Sequence, residues 1–277
     1  MAFSIDKLIE LDAKNPKTIL FIGESFLDVY VYGTIETCQD DCVKFTGTGE
    51  ILSVDGGSAN AKNSIKAWKS KGIVVDGMPS NKMRFLVGEK IVFRYDPFDK
   101  RDPLLLSGGV AGPHDRTKRT GLVIKGADAV LISDYDKGLM TPEFIRYVID
   151  ECHALGIPCV ADAKRNPKIY DGAILKGNAA YFSKWPTNYC QQVMTRGADR
   201  PTIYQSRIRL PDKPPVKCVN HVGAGDCFAA HMTLALAHGF TLVDSVEFAH
   251  SAGRVYVQHP HNRPPSIDEI RRDLKMK

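Results

Sequence analysis

The chain has 277 residues and a formal net charge of +5, with 43% hydrophobic and 25% charged residues. This length accommodates one large α/β domain with a small appendage, and the composition is ordinary for a soluble globular protein. A charge this mild does not require a nucleic-acid partner, and no apolar run is long enough to cross a membrane. We therefore expect a protein that binds small anionic molecules and has neither nucleic acid nor a membrane as its partner.

Cysteine usage and the N-terminus indicate the compartment. Seven cysteines are scattered along the chain, an odd number that favours reduced thiols. Residues 1–10 contain no signal-peptide core, so we expect a cytoplasmic location. Cys38 and Cys42 are spaced as Cys-x3-Cys, but no His or Cys pair follows at zinc-finger spacing. We therefore predict no metal site formed by protein side chains alone.

The first third of the chain contains one of two glycine turns. Its predicted elements are a helix, a buried strand, a set of short strands and a second helix, at residues 1–15, 18–23, 30–54 and 59–71. Gly56 and Gly57 stand between the last of these strands and the second helix. Asn60 lies near the start of that helix.

The remaining elements predict a parallel sheet. They are a hairpin, a buried strand, a helix, another strand and two C-terminal helices, at residues 81–96, 127–133, 142–155, 158–162, 245–257 and 267–277. Residues 97–119 contain proline, glycine and charges, and we predict a loop. Strand–helix–strand units at this spacing favour a parallel sheet with helices on both faces, whose ligands lie at the carboxyl ends of the strands.

The second glycine turn, Gly223-Ala224-Gly225-Asp226, follows a predicted strand end at residues 217–219 and opens a helix at Asp226. The amide N–H groups of such a turn, at the positive end of a helix, favour an anion. A carboxylate beside that anion would take the proton of a hydroxyl that receives a phosphoryl group. On this motif alone, a helix N-cap explains Asp226 about as well.

The two glycine turns together resemble the two signatures of the ribokinase-like (PfkB) carbohydrate kinases. The resemblance covers nearly the whole chain and is strongest to the heptose-7-phosphate kinases within that family. It implies one α/β domain over residues 1–277: a doubly wound, mostly parallel sheet with a small β-sheet lid at about residues 29–54 and 82–96. It also implies transfer of the γ-phosphoryl group of ATP to a hydroxyl of a sugar or sugar phosphate, with Mg²⁺ as a cofactor.

The resemblance also assigns roles to residues. Asp226 would be the catalytic base, and the amides of Gly223, Ala224 and Gly225 would form the anion hole. The nucleotide would be bound by Lys164, Asn178, Thr195, Gly197 and His250. The sugar would be bound near the lid by Asp28, Gly56, Gly57, Asn60, Arg84, Arg94 and Asp134.

Three cations of the predicted lid, Lys82, Arg84 and Arg94, align with the heptose kinases and would suit a phosphate group on the sugar. The exposed face of a half-buried hairpin would carry such charges equally well. The sequence therefore leaves open whether these residues bind substrate.

Four residues depart from the family pattern: Glu24, Asp136, Ala163 and Tyr181. Glu24 stands where the heptose kinases have aspartate, and Tyr181 replaces the glutamate of an Asn-x-x-Glu motif that organises magnesium-bound water. A tyrosine supplies no carboxylate, so we expect magnesium to be required but held loosely. The helix and strand that usually follow are also compressed into residues 185–194.

Two other functions remain open on the sequence. The change at Tyr181 and the shortened segments would suit a kinase-derived binding protein with little turnover, whereas the retained Asp226 argues against it. The other alternative is a nucleoside or vitamin kinase of the same fold, against which the lid cations favour a phosphorylated sugar. The expected partners are therefore a sugar phosphate and ATP, with a homodimer through the lid as a further hypothesis.

Overall fold

A computed structural model describes residues 3–38, 42–76, 80–88, 90–97, 123–186, 191–204, 210 and 213–276. The predicted loop at residues 97–119 lies outside these ranges except for Pro97. No helix in the described ranges is both long and apolar enough to cross a membrane.

The described elements alternate between strands and helices along most of the chain. The strands are β1 Thr18–Gly23, β2 Ser25–Thr37, β3 Val43–Gly57, β4 Lys71–Val75, β5 Ser80–Val87, β6 Lys90–Tyr95, β7 Ala129–Ser133, β8 Cys159–Asp162, β9 Ile174–Asn178, β10 Gln192–Arg196 and β11 Asp199–Tyr204. The α-helices are α1 Ile5–Lys14, α2 Ser58–Ser64, α3 Pro142–Leu155, α4 Ala179–Lys184, α5 Ala224–Ala237, α6 Leu242–Tyr256 and α7 Ile267–Lys275, with a 3₁₀ turn at Pro167–Tyr170.

Seven strands form the main sheet in the order β11-β10-β9-β8-β7-β1-β4. Every neighbouring pair is parallel except β10 with β11, which is antiparallel. One apolar cluster covers one face of this sheet with α1, α2, α5, α6 and α7, and a second cluster covers the other face with α3 and α4. The doubly wound α/β class predicted from the sequence is therefore confirmed. That residues 1–277 form one domain stays a prediction.

The remaining four strands form a separate small sheet in the order β3-β2-β5-β6. The register places Asp28 beside Lys82, and Tyr30 beside Arg84, which in turn lies opposite Arg94. Because side chains alternate between the two faces of a sheet, these five residues share one face. Asp28, Tyr30, Lys82 and Arg84 are buried, so this is the face turned towards the rest of the molecule.

Several element boundaries differ from those predicted from the sequence. The short strands expected over residues 30–54 are two long strands, β2 and β3, and residues 217–219 form no strand. The helix predicted over 59–71 ends at Ser64. The side chain of Asp12 in α1 accepts hydrogen bonds from the backbone amides of Lys69 and Ser70, at 2.6 and 2.9 Å. These amides therefore bind a carboxylate instead of continuing a helix.

Candidate active site

The site lies where the strand order reverses. From β1 the chain continues through β4 on one side, whereas β7, β8 and β9 extend the sheet on the other side. In open α/β sheets a crevice forms at such a reversal, outside the carboxyl ends of the strands. Glu24 follows β1, Asp134 and Tyr135 follow β7, and Asp162 ends β8. The acidic and aromatic residues of the site thus come from adjacent strand ends.

The second glycine turn approaches these strand ends and opens α5. Gly223 is the N-cap residue with φ +80°, a left-handed conformation that favours glycine. A Cβ atom there would overlap the side chains of Asn60 and Tyr256. The amides of Gly225 and Asp226 have no acceptor within the helix, because they belong to its first turn. The amide of Ala224 donates to the carbonyl of His221 at 3.3 Å.

Asp226 is buried and lies in the first turn of α5. Its Oδ1 accepts a hydrogen bond from the hydroxyl of Tyr135 at 2.6 Å, and its Oδ2 accepts one from Nδ2 of Asn60 at 3.1 Å. Burial and the nearby charge of Asp162 raise the pKa of Asp226 above its ordinary value. The N-cap interpretation of Asp226 is therefore wrong, since Gly223 occupies the cap and the carboxylate binds side chains from two other elements.

The first glycine turn reaches the second through Asn60. Gly57 has φ +62°, and a Cβ atom there would overlap the carbonyl oxygen of Glu24. That same carbonyl accepts the amide of Ser58 at 3.0 Å, which orients the start of α2. Besides Asp226, Asn60 donates to the carbonyl of Gly223 at 3.3 Å, and its Oδ1 accepts the hydroxyl of Tyr256 at 3.3 Å. The two glycine motifs, far apart in sequence, thus form one hydrogen-bonded unit.

Lys176 is a site residue that the sequence reasoning missed. Its buried ammonium group donates to Asp162 Oδ2 at 2.8 Å and to the carbonyl oxygen of Gly225 at 3.2 Å. Lys164 lies 3.7 Å from Asp162 Oδ1. Burial alone would raise the pKa of Asp162, but the two lysines hold it below its ordinary value. A lysine inside the buried strand Ile174–Asn178 was the available sequence signal.

A cavity of about 460 Å³ opens beside the glycine turn. All five residues predicted to bind nucleotide line it, together with Gly223, Ala224, Gly225 and Asp226; the five are Lys164, Asn178, Thr195, Gly197 and His250. His250 is buried, and burial lowers its pKa to about 4, so its imidazole is neutral at pH 7. The Oδ1 atom of Asn178 accepts the amide of Tyr181 at 2.8 Å, so this side chain also caps α4.

Most charged side chains on the inner face of the lid form ion pairs with one another. Arg84 donates to Asp28 at 2.5 Å in a buried ion pair. Arg94 binds Asp96 with two hydrogen bonds, of 2.8 and 2.5 Å. The ammonium group of Lys82 instead lies 3.1 Å from the centroid of the Phe26 ring, and no carboxylate in the described part of the chain forms an ion pair with it. Burial lowers the pKa of Lys82 to about 8.

Asp134, predicted to bind sugar, has protein partners at both carboxylate oxygens. Oδ2 accepts from the Arg165 guanidinium at 2.6 and 2.8 Å and from the Tyr170 hydroxyl at 2.5 Å. Oδ1 accepts the amide of Asp136 at 2.9 Å. These contacts make Asp134 an anchor for the turn after β7, and a contact with sugar stays a prediction.

The residues present do not fit a tightly held magnesium ion. The hydroxyl of Tyr181 donates to the carbonyl of Arg165 at 2.9 Å, and its ring packs against Phe182. Asp162 is already paired with Lys176 and Lys164. Within the ranges that the structure describes, no group of three or more His, Cys, Asp or Glu side chains is arranged to hold a metal ion.

Comparison with known proteins supports a sugar kinase. Residues 190–269 match the sequence model of the pfkB family carbohydrate kinases. The chain is similar to the bifunctional protein HldE of Caulobacter vibrioides, at 26% identity over 299 residues that cover 87% of this chain and 60% of that protein. The HldE of Sulfurimonas denitrificans is 24% identical, with 91% and 63% covered. The chain thus spans about three fifths of the length of these relatives.

Solved structures share the fold. Arabidopsis thaliana ribokinase complexed with ribose and ATP has a TM-score of 0.67 at 13% identity, covering 95% of this chain and 100% of that one. Phosphofructokinase-2 from Escherichia coli in complex with potassium has a TM-score of 0.67 at 16% identity, covering 94% and 98%. The ribokinase-like fold is therefore confirmed. The family match confirms the resemblance to the PfkB carbohydrate kinases and the prediction of a kinase.

Proposed function

We propose, on the premise that this chain is a pfkB-type carbohydrate kinase, that it transfers the γ-phosphoryl group of ATP to a hydroxyl of a phosphorylated sugar. The observation that carries this proposal is the position of Asp226. Its carboxylate lies at the start of α5, beside the glycine turn that lines the cavity, and it is hydrogen-bonded to residues from two other elements. Such an arrangement suits a base that works next to an anion.

Different groups of this chain would carry out the separate parts of phosphoryl transfer. Asp226 takes the proton of the sugar hydroxyl while the hydroxyl oxygen attacks the γ-phosphorus and ADP leaves. The raised pKa of Asp226 brings its basicity closer to neutral pH, which favours proton acceptance. The first-turn amides of Gly225 and Asp226 stabilise charge on the phosphoryl oxygens. Lys176 holds the carbonyl of Gly225 and thereby fixes the direction of this turn.

A phosphorylated sugar is favoured by Lys82. Arg84 and Arg94 both form ion pairs with carboxylates of the protein, whereas the ammonium group of the buried Lys82 lies over the Phe26 ring, and Asp28 and Asp96 act on its charge only from a distance. Transfer of an ammonium group from water to a buried site is unfavourable unless an anion compensates for the lost hydration. A phosphate group on the substrate would supply that anion. A heptose phosphate is the first candidate for this sugar because the chain resembles the heptose-7-phosphate kinases.

Magnesium would enter with the nucleotide. When bound, it would neutralise part of the negative charge of the nucleotide phosphates. Residue 181 is a tyrosine without a carboxylate, and the carboxylate of Asp162 is already paired with two lysines. We therefore propose that the protein holds the magnesium ion weakly. Activity should then keep rising with Mg²⁺ after ATP is fully chelated. Saturation together with the chelate would contradict weak binding.

A coupled assay of ADP release over a panel of phosphorylated and free sugars tests the proposed function. We expect turnover with a sugar phosphate and much weaker turnover with the same sugar lacking its phosphate. Equal activity on the free sugar would reject the phosphorylated acceptor. Nucleotide binding without turnover on any sugar, nucleoside or vitamin would favour the kinase-derived binding protein, to which the tyrosine at position 181 already points.

A further inference from the structure

The turn after β7 brings Tyr135 against the proposed base. Its hydroxyl donates to Asp226 Oδ1 at 2.6 Å, while its ring lines the cavity beside the glycine turn. On the lid side, the ring meets that of Phe26 edge to face, with 5.0 Å between centroids. The ammonium group of Lys82 lies 5.1 Å from the Tyr135 centroid, and that of Lys164 lies 5.4 Å from it. Tyr135 therefore stands between the lid and the nucleotide cavity.

The backbone of this turn is held by buried carboxylates. Glu24 accepts the amide of Tyr135 at 2.8 Å and that of Lys137 at 3.2 Å. Asp134 accepts the amide of Asp136, which adopts a left-handed conformation with φ +57°. A non-glycine residue in this region needs support from its surroundings. The backbone at the tyrosine is thus held by these carboxylates in addition to the contact of its hydroxyl with Asp226.

Charged and polar groups face Asp226 from every element around it. Asp162 at the end of β8 disfavours its ionised form, whereas Lys176 of β9 favours it. Lys164, which follows β8, also interacts with its charge. Asn60 of α2 and the hydroxyl of Tyr135 stabilise the carboxylate by hydrogen bonds. Burial and Asp226 raise the pKa of Tyr135 well above its ordinary value, so the phenol stays a donor throughout the neutral range.

We propose that Tyr135 is a positioning residue for phosphoryl transfer: its hydroxyl orients the Asp226 carboxylate and keeps it ionised, while its ring separates the sugar from the nucleotide cavity. This proposal rests on the proposed function. A carboxylate oxygen accepts more than one hydrogen bond, so Oδ1 and Oδ2 each retain a lone pair for the sugar hydroxyl. Because Tyr135 and Asn60 hold one oxygen each, the carboxylate does not rotate when the substrate arrives.

The variant Tyr135→Phe tests this role, because it keeps the ring and removes the hydroxyl. Loss of a hydrogen bond to the ionised form raises the pKa of a carboxyl group. The acid limb of kcat/KM against pH, measured by ADP release, should therefore move up by about one to two pH units, the size of a hydrogen bond to a charged group. The matched control is Tyr256→Phe, whose hydroxyl donates its hydrogen bond to Asn60 and not to Asp226. We expect a smaller shift there.

A second measurement is independent of turnover. The ¹³C signal of the Asp226 carboxyl, identified by its loss in Asp226→Asn, should titrate at higher pH in Tyr135→Phe than in the wild type. If the wild type releases no ADP with any sugar phosphate, the proposed function fails, and this titration still decides the role of Tyr135. An unchanged titration, or an equal shift in Tyr256→Phe, overturns the proposal. If Tyr135→Phe does not fold, Tyr135→Leu, which also lacks the hydroxyl, should shift the Asp226 titration in the same direction, and no shift would overturn the proposal.

Discussion

At the scale of single residues, Asp226 separates an enzyme from a binding protein. Asp226→Asn keeps an acceptor for the Tyr135 hydroxyl and removes the proton acceptor. We expect kcat to fall by about 10²–10⁴-fold, the usual contribution of a general base. The affinity for ATP should stay close to that of the wild type. The melting temperature should fall only slightly, because Gly223 rather than Asp226 caps the helix and Asn60, which loses its hydrogen bond to residue 226, still donates to the carbonyl of Gly223.

Steady-state kinetics, nucleotide titration and thermal melting check this prediction together. Asp150→Asn is a suitable control, since its side chain is exposed and binds Arg146 on the surface of α3. Full phosphoryl transfer by Asp226→Asn would mean that another group accepts the proton.

We expect substitutions at Lys82 and Arg94 to have different effects, although both residues are lid cations. Lys82→Met should raise KM for the sugar phosphate by a factor equivalent to roughly 1.5–3 kcal/mol of binding free energy, the value of a hydrogen bond to a charged group. Arg94→Ala should have a smaller effect, because Arg94 is half exposed and already binds Asp96. The sequence did not distinguish the two residues. The structure distinguishes them, because Arg94 forms an ion pair with Asp96 whereas Lys82 lies over the Phe26 ring.

The pH dependence of KM gives Lys82 a second test. Burial lowers its pKa to about 8 in the free protein, so the ammonium form that binds phosphate is lost as the pH rises through 8. KM for the sugar phosphate should therefore rise above pH 8 in the wild type and vary less in Lys82→Met. A flat wild-type profile between pH 7 and 9 would show that Lys82 does not bind the phosphate.

At the scale of elements, α7 is attached to α6 by a buried charge network. Asp273 binds Lys213 at 3.0 Å and Arg254 of α6 at 3.0 Å. Asp273→Ala leaves two buried cations without their carboxylate, which should reduce the free energy of unfolding by about 3–5 kcal/mol. Asp268→Ala, in the same helix, removes an exposed partner of Arg271 and should change the free energy of unfolding by about 0–1 kcal/mol.

Chemical denaturation of both variants measures this difference. Equal stabilities would mean that the apolar contacts of Ile270 and its neighbours hold α7 without the network. The contrast depends on burial, because the side chains of Lys213 and Asp273 are about 4% and 3% exposed, whereas that of Asp268 is 79% exposed.

At the scale of the molecule, the outer face of the lid supports the expected homodimer. The register aligns Ile51, Val31, Phe85 and Phe93 in one row across the four strands. Ile51 is 63% exposed and Phe93 is 59% exposed, although both are apolar. Contiguous apolar surface of this kind favours association with another protein surface, here a second copy of the chain. Sedimentation should show a dimer that Phe93→Lys weakens, and a wild-type monomer at micromolar concentration would reject it.

Local patterns determined much of the fold. Apolar runs predicted β1 and β7 within two residues of their observed bounds, and the 3.6-residue spacing predicted α3 at its observed bounds. Both signals are local, because a buried strand or an amphipathic helix must display its burial in its own sequence. The glycine turns and Asp226 were predicted for the same reason, since a positive φ and a helix start depend on residues close together.

Tertiary structure alone decided how these parts meet. Nothing local to Tyr135 indicates that its hydroxyl binds Asp226, or that Glu24 holds its amide, because these contacts join residues 91 and 111 positions apart. The end of α2 likewise depends on Asp12 of α1. The sequence showed three lid cations, whereas strand register paired Arg84 with Asp28 and left Lys82 beside an aromatic ring. Long-range pairing depends on the whole fold, and no local pattern encodes it.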